Sequence, residues 1–353
     1  MQDSGVWLKG DWHMHSRHST DSTHHGIARI IAAAEAVGLD YLAITDHDVH
    51  VAGAVADHTW ADPEFCSDRL TLFYGAELTA ARGHANILAA RPYNHQRIFD
   101  ARDARDWDIR ALKDELGVHF SANHPATRNI YSFSWDLADS IEVWNTSQWA
   151  RNVTGLRIWD DVLLSGRIMP ARGGSDAHHG VPETGDMDRP ESVEALGNAP
   201  GTPTTWVCAA DRGPEAILAA LEAGRTSVSA NPGAPRAELT VTDRGRTLFM
   251  GDLAPAPDGP LVLRVTLTGG RIEGARYRVR IVCNRNEVAL LWTDPATGVA
   301  EAELTLEQGR RAYLRAEIEG PQTPFPPAPL CTSQSGSMVA LTGPVYFGYD
   351  PAF

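Results

Sequence analysis

Two histidines one residue apart, in Asp11-Trp12-His13-Met14-His15-Ser16, follow directly on the apolar run Val6-Trp7-Leu8. Side chains alternate along a strand, so imidazoles at i and i+2 point the same way. Neutral imidazole is the commonest nitrogen ligand of divalent metals, and His-x-His aims two rings at one point. In a chain with 14 histidines the pair alone is a weak signal. It gains weight from Asp21 in the polar loop that follows, and from similar groups past later apolar runs. Thr45-Asp46-His47-Asp48 follows residues 41–44, Glu77 follows 70–76, and His84 lies beyond the turn at Arg82-Gly83. Asn123-His124-Pro125 follows 117–122, Asn145 follows 140–144, and Ser175-Asp176-Ala177-His178-His179 follows 167–171.

The elements that must carry these residues are legible from periodicity. From residue 6 to about 230, short β-like runs alternate with helix-like segments, the grammar of a parallel α/β sheet or barrel. An alanine-rich helix over 27–37 closes on Gly38, another runs from about Pro214 to Ala223, and 226–229 reads as the closing strand. About seven such units are present, with the charged residues at strand C-terminal ends, where α/β barrels build active sites. Residues 70–76 and 84–88 read as adjacent strands that bring Glu77 and His84 close. Beyond Asn231-Pro232-Gly233 the chain turns strand-like throughout, at 237–241, 261–267, 277–283, 288–292, 302–306 and 313–318. This predicts a C-terminal all-β sandwich over 233–353 after an α/β domain over 1–232. Residues 320–337, rich in Pro, Ser and Gln, read as a surface loop.

Composition sets the outer bounds. A chain of 353 residues exceeds the roughly 250 that one core usually serves, which agrees with two domains. The formal charge of −14 disfavours a partner held by counterion release, so no nucleic-acid polymer is expected. Small anions remain open, because bound cations dominate their local field. Cys66, Cys208, Cys283 and Cys331 show no CxxC spacing and read as small hydrophobes. Neither a membrane-spanning run nor a signal region is present, and a cytoplasmic location is expected.

Collected from the strand ends, His13, His15, Asp21, His47, Glu77, His124, Asp176 and His178 form a mixed nitrogen and oxygen ligand set large enough for more than one divalent ion. Zn, Mn and Fe accept such shells, whereas Ca and Mg prefer oxygen alone. The order D-x-H-x-H-S, T-D-H-D, G-x-E, H-P and S-D-A-H along one α/β chain resembles the PHP (polymerase and histidinol phosphatase) superfamily of metal-dependent phosphoesterases. The Gly224-Arg225-Thr226-Ser227-Val228-Ser229 segment and the all-β tail are similar to its CehA/McbA-like metallohydrolase subgroup. The superfamily match covers residues 8 to 230.

That resemblance implies a distorted seven-stranded (β/α) barrel with two or three metals, Zn, Mn or Fe, at its C-terminal rim. It implies that His13, His15 and Asp176 hold one metal, that Glu77 bridges to a second bound by His124, and that Asp21, His47 and His178 complete a third site. Relatives often carry His or Cys where this chain has Asn145, and Asp-Gly where it has Asp21-Ser22. It further implies a bridging water activated by paired cations for attack on a small anionic ester. Asp46 or Asp48 is a candidate to orient His47. His178, His179 and His84 are alternative sources of the leaving-group proton. Arg17, Arg82 and Arg128 are candidates to grip phosphate, and Asn145 and His179 also flank the expected pocket.

Other histidines have plainer readings. His18, His24 and His25 read as a solvated loop, His50, His58 and His95 as surface residues, and His119 as a hydrogen-bonded core residue. Glu142 is either a supporting group or structural, and the ten tryptophans are core material first. The leading expectation is hydrolysis of phosphate mono- or diesters. The alternatives are carboxylic or carbamate ester hydrolysis at the same centre, and a non-catalytic metal- or carbohydrate-binding protein; a homo-oligomer remains open.

Overall fold

A computed structural model of the protein describes residues 5–22, 26–126, 130–178, 199–322, 325 and 338–352. The first part runs β1 (Val6–Asp11), α1 (Ile27–Ala36), β2 (Tyr41–Ile44), β3 (Thr71–Ala80), β4 (Gly83–Ala89), α2 (His95–Asp100), α3 (Asp106–Leu116) and β5 (His119–Ala122). It continues with β6 (Ser140–Asn145), α4 (Val153–Ser165), β7 (Ala171–Gly174), β8 (Thr204–Ala209), α5 (Pro214–Glu222) and β9 (Thr226–Ser229). The rest is all strand: β10 (Arg236–Asp243), β11 (Arg246–Phe249), β12 (Leu253–Ala254), β13 (Pro260–Thr268), β14 (Arg278–Cys283), β15 (Asn286–Trp292), β16 (Val299–Thr305), β17 (Ala312–Glu319), β18 (Met338–Thr342) and β19 (Val345–Phe347).

Local sequence accounts for the elements that frame the rim. Helix α1 buries Ile27, Ile30, Ile31 and Ala34, a single stripe at helical spacing, and Gly38 ends it at φ 71°. Helix α3 places Asp106 and Asp108 in its first turn and Lys113 in its last, matching its dipole. Strand β13 alternates, burying Leu261, Leu263, Val265 and Leu267. Among the described residues no helix is long and apolar enough to cross a membrane.

The expected distorted seven-stranded (β/α) barrel is not seen among the described residues, where the sheet does not close. The strands instead lie in one mixed sheet, in the order β12-β19-β17-β18-β9-β8-β1-β2-β3-β4-β5-β6-β7, with β14 and β15 branching from β17. Among the described residues only the strand pairs β1–β2, β2–β3, β5–β6, β6–β7 and β12–β19 are parallel. Strands β3 and β4 form an antiparallel hairpin around Gly83 at φ 109°, not a strand-helix unit, and β8 and β9 are antiparallel too. Among the described residues no backbone ladder joins β7 to β8 or β9. Hydroxyls bridge that gap: Gly173 N donates to Thr205 Oγ1 at 2.9 Å, and Thr226 Oγ1 donates to the Ala171 carbonyl at 2.8 Å.

A second sheet, β11-β10-β13-β16, faces the β14, β17, β18 and β19 end of the first. Its Leu239, Val241, Leu263 and Val265 share one apolar core with Val279, Ile281, Leu314 and Phe347. Strand β18 pairs with β9, so the main sheet runs continuously from the first strands to the last. Polar glue adds to this junction. Arg315 on β17, buried, donates to Asp160 of α4 at 3.0 and 3.2 Å and to Glu317, while Tyr313 Oη donates to Asp160 at 2.6 Å. Removing one partner of a buried ion pair strands the other. Asp160→Ala is therefore expected to lower unfolding free energy by about 3–5 kcal/mol in urea titrations; a loss below about 1 kcal/mol would show that the network is dispensable.

Candidate metal centre

Residues just past the C-terminal ends of β1, β2, β5 and β7 converge with residues of the β3–β4 hairpin on one cluster. Backbone bonds zip the loops past β1 and β7 together, from Asp176 N to the His13 carbonyl at 2.8 Å and from His15 N to the Ala177 carbonyl at 2.9 Å. Asp11, fully buried, accepts from the backbone N–H groups of His13, Ser175 and Gly201 and so ties three rim segments together. Gly174 leaves room for the His13 ring: a Cβ there would lie 2.4 Å from His13 Cβ and 2.5 Å from Glu142 Oε1. Three non-glycine residues at these ends adopt positive φ, His124 at 23°, Asp176 at 51° and the β-branched Thr146 at 60°. Such conformations cost energy and persist where surrounding bonds over-determine them.

Glu77 sits at the middle of the resulting cluster. Its Oε1 lies 3.4 Å from His13 Nε2, 3.2 Å from His124 Nε2 and 3.1 Å from His84 Nδ1; its Oε2 lies 3.4 Å from His15 Nε2 and 2.9 Å from His47 Nδ1. Asp176 Oδ1 lies 3.1 Å from His15 Nε2 and 3.3 Å from His13 Nε2. Toward solvent, Asp21 Oδ2 lies 3.4 Å from the Nε2 atoms of both His47 and His178. Four overlapping groups bring ligand atoms within 4.8 Å of one another: His15, His47 and His178; His13, His15 and Glu77; His13, His124 and Asp176; and His47, Glu77 and His84.

The far nitrogen of four rings is occupied. His13 Nδ1 lies 2.9 Å from Glu142 Oε1, His15 Nδ1 3.3 Å from Ser19 Oγ, His47 Nδ1 2.7 Å from Thr79 Oγ1, and His178 Nδ1 2.8 Å from the Asp176 carbonyl. The Glu142 carboxylate and the Asp176 carbonyl can only accept, which puts the Nδ1 proton on His13 and His178 and leaves their Nε2 atoms toward Glu77 and Asp176 in the first case and toward Asp21 in the second. The Nε2 atoms of His13 and His15 then face each other at 3.3 Å. Glu77 Oε2 is buried and takes no well-directed hydrogen bond among the described residues, although His47 Nδ1 lies 2.9 Å from it. Converging lone pairs and an orphaned carboxylate oxygen repel one another unless a cation lies between them, so the residues fit a divalent metal.

Electrostatics point the same way. Burial would raise the Glu77 and Asp176 carboxyls, yet the surrounding imidazoles hold both well below the usual range. Burial would lower His13, His124 and His178, yet neighbouring carboxylates hold all three above the ordinary imidazole value. His47 is pushed up to about 10, burial being outweighed by Glu77 and Asp21. His15 alone is driven down, by burial and by the positive rings of His178 and His47. Without metal, protons stand where cations fit.

All eight residues expected as ligands lie in this cluster. His84 reaches Glu77 from β4, cross-strand from Thr79. Asp46 accepts from Ser16 N, Ser16 Oγ and Thr59 Oγ1, all at 2.6 Å, and so holds the loop past β1 rather than a ring nitrogen of His47. Asp48 pairs with His95, which is buried rather than on the surface, and accepts from Thr79 N. Asn145 donates to Glu142 and Asp176. Arg17 is tied to Asp62 and Glu64, and Arg82 to Asp106 and the Ala104 carbonyl. Arg128 and His179 lie outside the described residues. Sequence reasoning passed over Ser19, Thr79, Asn123 and Arg172. The Arg172 signal was a lone basic residue in an otherwise apolar strand.

No family model matches this chain, and no curated protein does. Among solved structures, the chain is similar to a two-domain protein containing a predicted PHP-like metal-dependent phosphoesterase from Bacteroides vulgatus ATCC 8482. That similarity spans 96% of each chain at 17% identity, with a TM-score of 0.48.

The raised imidazole of His47 has a consequence for the metal-free protein. Its folded pKa near 10 exceeds the unfolded value of about 6.5, so its contribution to stability is full below pH 6.5 and fades as pH rises toward 10. Asp21 is shifted the other way, and its contribution fades in acid. Thermal melts in chelator are expected to show Tm falling between pH 6.5 and 10, and Zn²⁺ is expected to suppress that fall. A Tm independent of pH in chelator would contradict the charge balance described above.

Proposed function

We propose that the chain is a metal-dependent hydrolase of small anionic esters, with phosphate mono- and diesters as the leading substrate class. The observation that carries this reading is a set of four imidazoles, each with a partner at Nδ1, whose Nε2 atoms are turned on carboxylates, those of His13 and His15 on Glu77 and Asp176 and those of His47 and His178 on Asp21. The ordered motifs that resemble the PHP superfamily, and its CehA/McbA-like subgroup in particular, support the phosphoester assignment. His13, His124, Asp176 and Glu77 would hold an inner metal, and His15, His47, His178 and Asp21 an outer one. The middle group of His13, His15 and Glu77 leaves room for a third. The mixed donors suit Zn, Mn or Fe. When bound, paired cations supply an activated water near neutral pH and neutralise charge on the ester oxygens.

The chain's own residues do the rest. Glu77 spans the inner and outer groups and fixes their spacing. Ser19 and Thr79 hold the outer rings, and Glu142 holds His13, so the donors are set before substrate arrives. His84, which Glu77 holds through Nδ1, is outside the four-ring set and is assigned to protonate the leaving group. Every described ligand candidate precedes residue 179, which supports reading 1–232 as the metallohydrolase unit and 233–353 as a sandwich-like support for it. We place the protein in the cytoplasm, acting on a small molecule.

One observation favours a second reading. Arg17 and Arg82 spend their charge on Asp62, Glu64 and Asp106, so neither is free to clamp a phosphate. A carboxylic or carbamate ester needs no such clamp. Hydrolysis of p-nitrophenyl phosphate, bis-p-nitrophenyl phosphate and p-nitrophenyl acetate by metal-reconstituted protein separates the two. Activity on a phosphate is expected, with Asp176→Asn and Glu77→Gln each lowering kcat/KM by at least about a thousandfold, roughly 4 kcal/mol of transition-state stabilisation. Turnover of the acetate alone would favour the carboxyl-ester reading. Silence on all three by metal-loaded protein would favour a binding role.

A further inference from the structure

Beneath the cluster lies a cation that the proposed chemistry does not use. Arg172, on β7, is fully buried, and its guanidinium meets three acceptors: Ser121 Oγ at 2.6 Å through Nε, Glu142 Oε1 at 2.8 Å through Nη1, and Asn123 Oδ1 through Nη2. Burying an arginine is costly unless every arm is satisfied. Two of the three acceptors lead onward to candidate metal ligands. Glu142 Oε1 is shared with His13 Nδ1 at 2.9 Å, and Asn123 Nδ2 donates to Glu77 Oε1 at 2.7 Å and to Asn86 Oδ1 at 2.8 Å.

Glu142 has no freedom left. Its second oxygen accepts from His124 N at 2.9 Å, which holds that residue's strained backbone, and from Asn145 Nδ2 at 3.1 Å. The same amide donates to Asp176 Oδ2 at 3.2 Å. Asn123 is oriented with equal certainty: an arginine can only donate, so the atom facing Arg172 is the amide oxygen and the NH₂ must face Glu77.

We infer that Arg172 is a positioning residue for metal binding, fixing Glu142 and Asn123 so that His13, His124, Glu77 and Asp176 present their ligand atoms together. The inference rests on the metal reading above and names the residue on which the inner group depends. Arg172 touches neither substrate nor metal. It acts through the fork geometry of its guanidinium, which reaches Glu142 and Asn123 at once. A lysine supplies the charge but cannot span both.

The test compares metal affinity with stability in the full chain, using Zn²⁺ alone and Mn²⁺ alone as probes in competition with a fluorescent chelator, beside thermal melts. Arg172→Met is expected to bind about a hundredfold more weakly than the parent and Arg172→Lys about tenfold, the range found when groups supporting a ligand are lost. Arg315→Met, which removes another buried arginine remote from the cluster, is expected to lower Tm while leaving affinity unchanged. Asn123→Ala, which cuts only the Glu77 arm, is expected to weaken binding about tenfold and decides the matter if Arg172→Met fails to fold. Folded Arg172 or Asn123 variants that bind within twofold of the parent would overturn the inference, as would an equal loss in Arg315→Met. A parent protein that takes up neither metal would overturn the metal reading itself.

Discussion

Withdrawing carboxylates from water is the constraint on which this structure turns. Glu77 on β3, Glu142 on β6 and Asp176 just past β7 gather around the His13 ring, the first two without exposed side-chain surface. An unpaired charge in that setting costs several kcal/mol, so each one dictates its surroundings. Arg172 answers Glu142 with a fixed positive charge. The others face imidazoles, which can hold either protons or a metal. This choice of partner separates the cluster from a structural ion-pair network such as Asp160, Arg315 and Glu317, where the cation is permanent.

The open sheet serves that constraint. An all-parallel barrel would bring each functional residue from a separate strand-helix unit. Here the β3–β4 hairpin lets adjacent strands supply Glu77, Thr79 and His84 to one point, in a register that sets Thr79 opposite His84. Positive φ at His124, Thr146 and Asp176 turns the chain sharply where strands end, so their side chains return over the rim. Strain of this kind is tolerable because Glu142, Gly174 and His13 bond to the same backbone groups.

What the sequence disclosed, and what it hid, follows from the range of the forces involved. Period-two alternation and glycine stops are local, which is why β9, β13 and α5 were legible within a residue or two. The eight ligand candidates could be collected from the sequence because metal chemistry restricts residue types and seven of them lie past strand ends, Glu77 lying within β3. Strand partners are not local. Nothing in residues 338–342 announces that they pair with 227–229, or that β8 runs antiparallel to β1. Supporting groups were hidden for a related reason. Serine, threonine and asparagine occur everywhere, so Ser19, Thr79 and Asn123 acquire meaning only from what lies across from them.

The pairing of β18 with β9 bears on how the protein is made. Strand β9 ends at Ser229, yet the strand that covers its edge begins at Met338, more than a hundred residues later. At ribosomal rates of about 5–20 residues per second, that edge stays uncovered for roughly 5 to 20 s in the nascent chain. An unpaired edge is a template for pairing with other chains. The half that carries the histidine and carboxylate cluster is thus synthesised early and finished late, and its exposure to misassembly is set by the time needed to make the strands between.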